Sequence, residues 1–182
     1  MSGIIQVRLA GFGGQGVVLA GLLLGQAGVM EGKYVSGSNS YGAQARGSGC
    51  KSEILFSDGP IDYPHLIMAD IFIAMSQGSY NLYYKEMKEP TGYILYDQGH
   101  VIPKEGLNVQ QRGVPATEYA LKKVKNKQMA NIVFLGALIE RTKIVSPRAI
   151  RKAISLQVSK RFQSLNHKAL EIGMGLGRQI HG

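Results

Sequence analysis

The chain is 182 residues long, with 21 lysines and arginines against 12 aspartates and glutamates, a formal charge of +9, one cysteine and no tryptophan. That length can bury one sizeable core, and a lone cysteine excludes an internal disulfide, a cysteine-rich zinc site and a self-contained iron–sulfur cluster. The charge is lopsided, with 15 basic and 4 acidic residues from Lys104 onward against 6 and 8 before it, so the basic character belongs to the C-terminal part.

Ile4 to Ala10 is an apolar run that predicts a first strand, with Gln6 and Arg8 as polar members suited to an edge or mouth of a sheet. Gly11-Phe12-Gly13-Gly14-Gln15-Gly16 follows, and then the apolar run Val17 to Met30. Gly11, Gly13 and Gly16 have the spacing of a phosphate-binding turn between a strand and a helix. Glycine lets such a turn bend tightly and approach a ligand, while the unpaired N–H groups and positive dipole end of the helix face an anion. A diphosphate would fit there, alongside Gly14. The same turn also serves simply to pack a helix closely onto a strand. A nicotinamide dinucleotide site would place Asp or Glu about 20 residues further on, whereas Lys33-Tyr34-Val35-Ser36-Gly37-Ser38-Asn39 contains no carboxylate. A stand-alone nucleotide-dependent dehydrogenase fails at that position.

The first helix, predicted from Gln15 to about Glu31, is apolar nearly all round, which calls for cover beyond its own sheet and points to a partner subunit. Tyr34 to Ser36 reads as a short second strand opening into a polar, glycine-rich loop that ends at Gly49. Loops of that length in compact domains are more often functional than idle. Arg46 has the fixed fork that suits a carboxylate or phosphate, or is a surface arginine; Tyr41 can stack on a planar group or anchor the loop in the core. Cys50 reads as a small residue beside a strand with no chemical role. Lys51 to Ser57 is strand-like and stops at the turn signal Asp58-Gly59-Pro60.

Asp70 to Met75 has the continuous apolar character of a buried parallel strand, followed by Ser76-Gln77-Gly78-Ser79 as loop and helix cap and by a helix over Tyr80 to Met87. Gly92 to Asp97 reads as another strand, and Leu107 to Gln111 as one more. The remainder is helical, over Thr117 to Val124, Met129 to Arg141 and, after the Ser146-Pro147 cap and first-turn pair, Arg148 to Val158. Strands alternating with helices predict an α/β fold: a Rossmann-like, mostly parallel sheet with helices on both faces and a helical C-terminal part, in one domain over residues 1–182. The loops at Gly11 to Gly16, Ser38 to Gly49, Ser76 to Ser79 and Asp97 to His100 then converge beyond the carboxyl ends of the strands, where ligands bind in such sheets.

No signal-peptide pattern is present, and the longest apolar run is too short for a bilayer, so a cytoplasmic protein with no membrane contact is expected. The four histidines, His65, His100, His167 and His181, show no metal-ligand spacing, and no catalytic acid–base pair stands out. The basic clusters at Lys122, Lys123, Lys125 and Lys127, at Arg148, Arg151 and Lys152, and at Lys160 and Arg161 form a solvated face or attract an acidic partner or polyanion. Nucleic acid is not expected, because no aromatic-rich binding motif accompanies the charge.

Four ordered segments carry a family likeness. Gly11-Phe12-Gly13-Gly14-Gln15-Gly16, Ser40-Tyr41-Gly42-Ala43-Gln44-Ala45-Arg46-Gly47, Ser57-Asp58-Gly59-Pro60-Ile61-Asp62-Tyr63-Pro64, and Ala69-Asp70 leading to Met75-Ser76-Gln77 resemble the gamma subunit of 2-oxoacid:ferredoxin oxidoreductases. Ala130-Asn131, Leu135-Gly136 and the Pro147 helix start are also similar to that family. The resemblance implies a chain that works with alpha and beta subunits, and in some assemblies a delta subunit, to convert a 2-oxoacid and coenzyme A to an acyl-CoA, carbon dioxide and reduced ferredoxin. It places thiamine diphosphate and iron–sulfur clusters on the partner chains. The Gly11-Phe12-Gly13 opening and Ile61-Asp62-Tyr63-Pro64 resemble the 2-oxoglutarate type, with the branched-chain and pyruvate types as alternatives. Coenzyme A carries a diphosphate and a 3′-phosphate, so the resemblance makes Gly11, Gly13, Gly14, Gly16, Tyr41 and Arg46 the candidate contacts for it, or for a neighbouring subunit.

Overall fold

The computed structural model describes residues 3–41 and 49–180. In chain order the elements are β1 (Ile5–Phe12), α1 (Val17–Met30), β2 (Tyr34–Tyr41), β3 (Gly49–Ser57), β4 (Ile71–Ala74), α2 (Gln77–Tyr83), β5 (Tyr93–Asp97) and β6 (Gln110–Val114). The helical part follows as α3 (Ala116–Tyr119), running on into a π turn at Ala120–Val124, a 3₁₀ turn at Lys127–Met129, then α4 (Ala130–Thr142), α5 (Pro147–Gln157) and α6 (Lys160–Gln179). No helix among the described residues is long and apolar enough to cross a membrane.

The Rossmann-like sheet is present in mixed form, with strand order β2-β3-β1-β4-β5-β6. β1, β4, β5 and β6 pair in parallel, while β3 runs antiparallel to both β1 and β2. The cause is the length of the second strand. Residues Gly37 to Tyr41, expected as loop, continue β2 across Ile54 to Cys50, so β2 and β3 form a long antiparallel pair inserted beside β1. Because β2 opposes β3 and β3 opposes β1, β2 points the same way as β1, and the carboxyl ends of β1, β2, β4 and β5 share one edge.

Alternation along β1 splits the core into two layers. Val7 and Leu9 face α1, α4, α5 and α6 together with Ile54, Phe56, Ile73 and Leu95. Ala10 faces the other side, where Phe72, Ala74, Ile94, Tyr80 and Met87 close a smaller cluster around α2. Arg8 also points to that second side, but it is buried at the centre of the sheet rather than standing at an edge or mouth. Its guanidinium binds Glu53 at 2.8 Å and Glu86 at 2.6 Å and lies 4.4 Å from the Tyr83 ring centroid, so the buried cation is matched by carboxylates and an aromatic face.

α2 begins earlier than expected, because the Ser76 hydroxyl accepts from the Ser79 N–H at 3.2 Å and caps it. β6 lies at Gln110–Val114, a shift of three residues from the expected run, and its ladder joins Gln111 to Ile94. The helices expected from sequence end at Val158, and α6, with Gly173, Gly175 and Gly177, lies beyond them. In the fold two of these glycines are contact points: a Cβ on Gly173 would lie 2.0 Å from the Val133 carbonyl oxygen, and one on Gly177 2.8 Å from that of Ala137. Gly136 faces them from α4 with the same tightness, 2.3 Å from the Leu170 oxygen. α4, buried from Asn131 through Ile139, is thus packed backbone to backbone on α6.

Candidate functional site

β1 runs two residues further than expected, so Gly11 is a buried strand residue, paired with Cys50 of β3, which in turn faces Tyr41 of β2. A Cβ on Gly11 would meet the Gln15 side-chain oxygen at 2.4 Å and the Met75 Cβ at 3.1 Å. This glycine therefore makes room for packing and does not line the pocket beyond the strand. Gly14 and Gly16 take the left-handed conformation, with φ of 92° and 73°. Gly16 is the N-cap of α1, and a Cβ there would also strike the Asn131 amide nitrogen at 2.3 Å.

Two side chains hold this turn. Gln15 accepts from the Phe12 N–H at 2.6 Å and donates to the Met75 carbonyl at 3.1 Å, which ties the turn to the end of β4. Asn131, 2 % exposed at the start of α4, donates to the Gly16 carbonyl at 2.9 Å. With these contacts the turn is held from both sides before any ligand arrives.

The resulting pocket has a volume of about 450 Å³, within the range of small-molecule sites. Gly13, Gly14 and Gly16 form one wall, Tyr41 and Cys50 another, and Gln128, Met129 and Asn131 a third. α1 opens into it without a side-chain cap and with no acidic residue in its first turn. Its first N–H groups have no acceptor one turn earlier, so the positive end of the helix dipole is left for an anion. Tyr41 lines the rim and is exposed, so it does not anchor a core among the described residues. Burial pushes the Cys50 thiol up from its ordinary value, which disfavours the thiolate. Arg46 lies outside the described residues.

On the other side of Gly14 a smaller cavity of about 120 Å³ is lined by Gln15, Asp97, Thr117, Lys127 and Gln128. Asp97, at the end of β5, accepts from the Thr117 hydroxyl at 2.6 Å and backbone N–H at 3.2 Å, from the Gly99 N–H at 3.1 Å, and lies 3.1 Å from His100 Nδ1. Each oxygen already has partners in the chain, so this carboxylate fastens β5 to α3. Lys127 is the one lysine or arginine among the described residues that line these two cavities, and it lines the smaller one together with Gly14 and Gln15.

Of the six residues expected from sequence, the fold brings Gly13, Gly14, Gly16 and Tyr41 to one pocket and sets Gly11 behind it. Gln15, Lys127, Gln128 and Asn131 escaped sequence reasoning as site residues. Lys127 showed only as one of a basic cluster and Asn131 only within a family-like dipeptide. The 115-residue separation between Asn131 and Gly16 explains why spacing could not reveal their bond. No group of three or more His, Cys, Asp or Glu able to hold a metal occurs among the described residues.

Comparison with known proteins gives four concordant findings. The family model for pyruvate ferredoxin/flavodoxin oxidoreductase matches residues 6–176. The 2-oxoglutarate synthase subunit KorC of Methanocaldococcus jannaschii is 38 % identical over 178 residues, which is 96 % of this chain and 95 % of the relative. The gamma subunit of a keto/oxoacid ferredoxin oxidoreductase from Geobacter sulfurreducens superposes with a TM-score of 0.85 at 34 % identity, covering 96 % of this chain and 99 % of that one. A fold match with a TM-score of 0.90 at 22 % identity is found to 32 % of the 2-oxoglutarate:ferredoxin oxidoreductase of Magnetococcus marinus, a structure with 2-oxoglutarate, coenzyme A and succinyl-CoA bound.

Proposed function

This chain belongs to the pyruvate ferredoxin/flavodoxin oxidoreductase family, and we propose that it is the gamma subunit of a cytoplasmic 2-oxoglutarate:ferredoxin oxidoreductase whose own task is to hold coenzyme A. The assembly converts 2-oxoglutarate and coenzyme A to succinyl-CoA and carbon dioxide and passes the electrons to ferredoxin. The 38 % identity to a 2-oxoglutarate synthase subunit supports the substrate. One cysteine does not fit an iron–sulfur cluster on this chain, and in this reading the clusters and thiamine diphosphate sit on the alpha, beta and any delta subunits.

The observation that carries the coenzyme A assignment is the pocket at the uncapped start of α1. N–H groups at Gly13, Gly14 and the first turn of the helix suit the diphosphate, and Lys127 adds a positive charge beside Gly14. Arg46 supplies the fork for a further phosphate, and Tyr41 a stacking surface for the adenine. Gln15 and Asn131 orient the turn so that the donors point outward before the ligand binds, which lowers the ordering cost of binding. In this reading the chain binds and positions coenzyme A, and proton transfer at the reacting carbon falls to the companion subunits.

The test is reconstitution of the complex with and without this chain. Viologen reduction should depend on its presence and on coenzyme A, with kcat/KM for 2-oxoglutarate above that for pyruvate and for 2-oxoisovalerate. A preference for either competitor would reassign the substrate, and turnover of an oxoacid by the purified chain alone would overturn the subunit reading.

A further inference from the structure

A groove runs between α6 and the wall made by α3 and its π turn. Two adjoining depressions, of about 380 and 300 Å³, share Tyr119 and Leu176. Lys168, Ile172, Gly175 and Leu176 recur at the three- and four-residue spacing that puts them on one face of α6, and Tyr119 and Lys123 stand opposite on successive turns. Each wall therefore brings one lysine to an apolar floor. No aspartate or glutamate lines either depression, and among the described residues no ion pair is formed by Lys123 or Lys168.

Gly175 is the independent observation. A glycine within a helix destabilises it relative to alanine, and Gly173 and Gly177 are required by the close approach of α4. Gly175 is not: a Cβ built on it meets none of the described residues within 4 Å. Internal packing gives no reason for the missing side chain. Its absence leaves a notch in the groove floor beside Ile172 and Leu176, open to an incoming side chain.

We propose that this groove is a docking site for an acidic segment of a companion subunit, which inserts one apolar side chain at the Gly175 notch and sets carboxylates against Lys123 and Lys168. The apolar floor favours a peptide over a polyanion, because a sugar–phosphate backbone has no side chain to fill the notch, and one tyrosine makes no stacking platform. The excess of basic residues after Lys104 would steer such a partner toward this side of the molecule. The proposal rests on the chain being part of a multi-subunit enzyme.

The intact purified complex tests it. Zero-length carbodiimide coupling should join Lys123 or Lys168 to an Asp or Glu of a companion chain. Gly175→Leu, and separately the pair Lys123→Glu and Lys168→Glu, should weaken capture of this chain by the remaining subunits by about tenfold or more at low salt. Unchanged thermal unfolding of the isolated variants would separate lost docking from lost folding. An assembled, active complex with no such cross-link and unaltered affinity for all variants would overturn the groove assignment and leave the proposed function standing. Cross-links only between isotopically distinct copies of this chain would identify a second copy as the occupant and also overturn it. A chain that never joins companion subunits would overturn the proposed function first, and the groove with it.

Discussion

Replacing Gly173 by alanine, with Gly175→Ala as its partner experiment, asks whether α4 and α6 really meet at their backbones. The new Cβ at position 173 would sit 2.0 Å from the Val133 oxygen, whereas ordinary contact begins at 3.4 Å, so the helices must part locally by about 1.4 Å. Val133 is fully buried in a helix covered on all sides, and backbone cannot swing aside as the end of a side chain can. Overpacking of this kind costs about 3 kcal/mol, and the gain in helix propensity returns about 1. The net loss of about 2 kcal/mol corresponds to a fall of roughly 4–8 °C in Tm for a domain of this size. Position 175 has open space, so alanine there keeps only the propensity gain and should raise Tm by roughly 1–4 °C. Circular dichroism melts of the full chain, with urea midpoints as a check, measure both. A Gly173→Ala protein as stable as its parent, or a Gly175→Ala protein less stable, would refute the packing argument.

Three further outcomes follow from the site and the core. Asn131→Ala removes the bond to the Gly16 carbonyl and should raise KM for coenzyme A about fivefold while leaving that for 2-oxoglutarate near its parent value; equal changes in both constants would mean a structural defect and not a coenzyme A effect. Arg46→Ala should raise KM for coenzyme A by about tenfold or more, the loss of a charge-assisted bond, and unchanged constants for both substrates would remove Arg46 from the site. Burial pushes the Glu53 carboxyl up, but hydrogen bonds from Lys51 and Arg8 and their charges outweigh burial and hold it below its usual range. A carboxyl with a lowered folded value contributes stability above its unfolded value that is lost as pH falls through the folded one. Urea midpoints should therefore drop on acidification below about pH 4.5 in the parent protein, and Glu53→Gln should be about 3 kcal/mol less stable near neutrality and less sensitive to acid; identical pH profiles for the two proteins would contradict the account.

Much of the architecture was legible from local pattern. The strand–glycine turn–helix start, the apolar strands at Ile71–Ala74 and Tyr93–Asp97, and the Ser146 cap of α5 each depend on residues within one or two turns of each other. The first helix was read as apolar all round, and α4 and α5 join the sheet in covering it, so that Leu22 and Val29 are the large apolar side chains it leaves exposed. The extent of β2 was not legible, because Gly37-Ser38-Asn39-Ser40 has the composition of a loop and becomes strand only by pairing with Ile54 to Lys51. α6 was not among the helices expected from sequence, and the role of Gly173 and Gly177 emerges only where α4 lies against them.

Sequence alone determined that a glycine-rich turn stands between the first strand and the first helix, that one cysteine cannot supply the thiolates of an iron–sulfur cluster, and that positive charge gathers after Lys104, because chain order and composition carry those facts without reference to folding. Which glycine does what was decided only in three dimensions. Gly11 makes room for Gln15 and Met75, Gly16 turns under Asn131, Gly173 admits Val133, and Gly175 meets none of the described residues, since each role depends on what the fold and not the order of residues brings close.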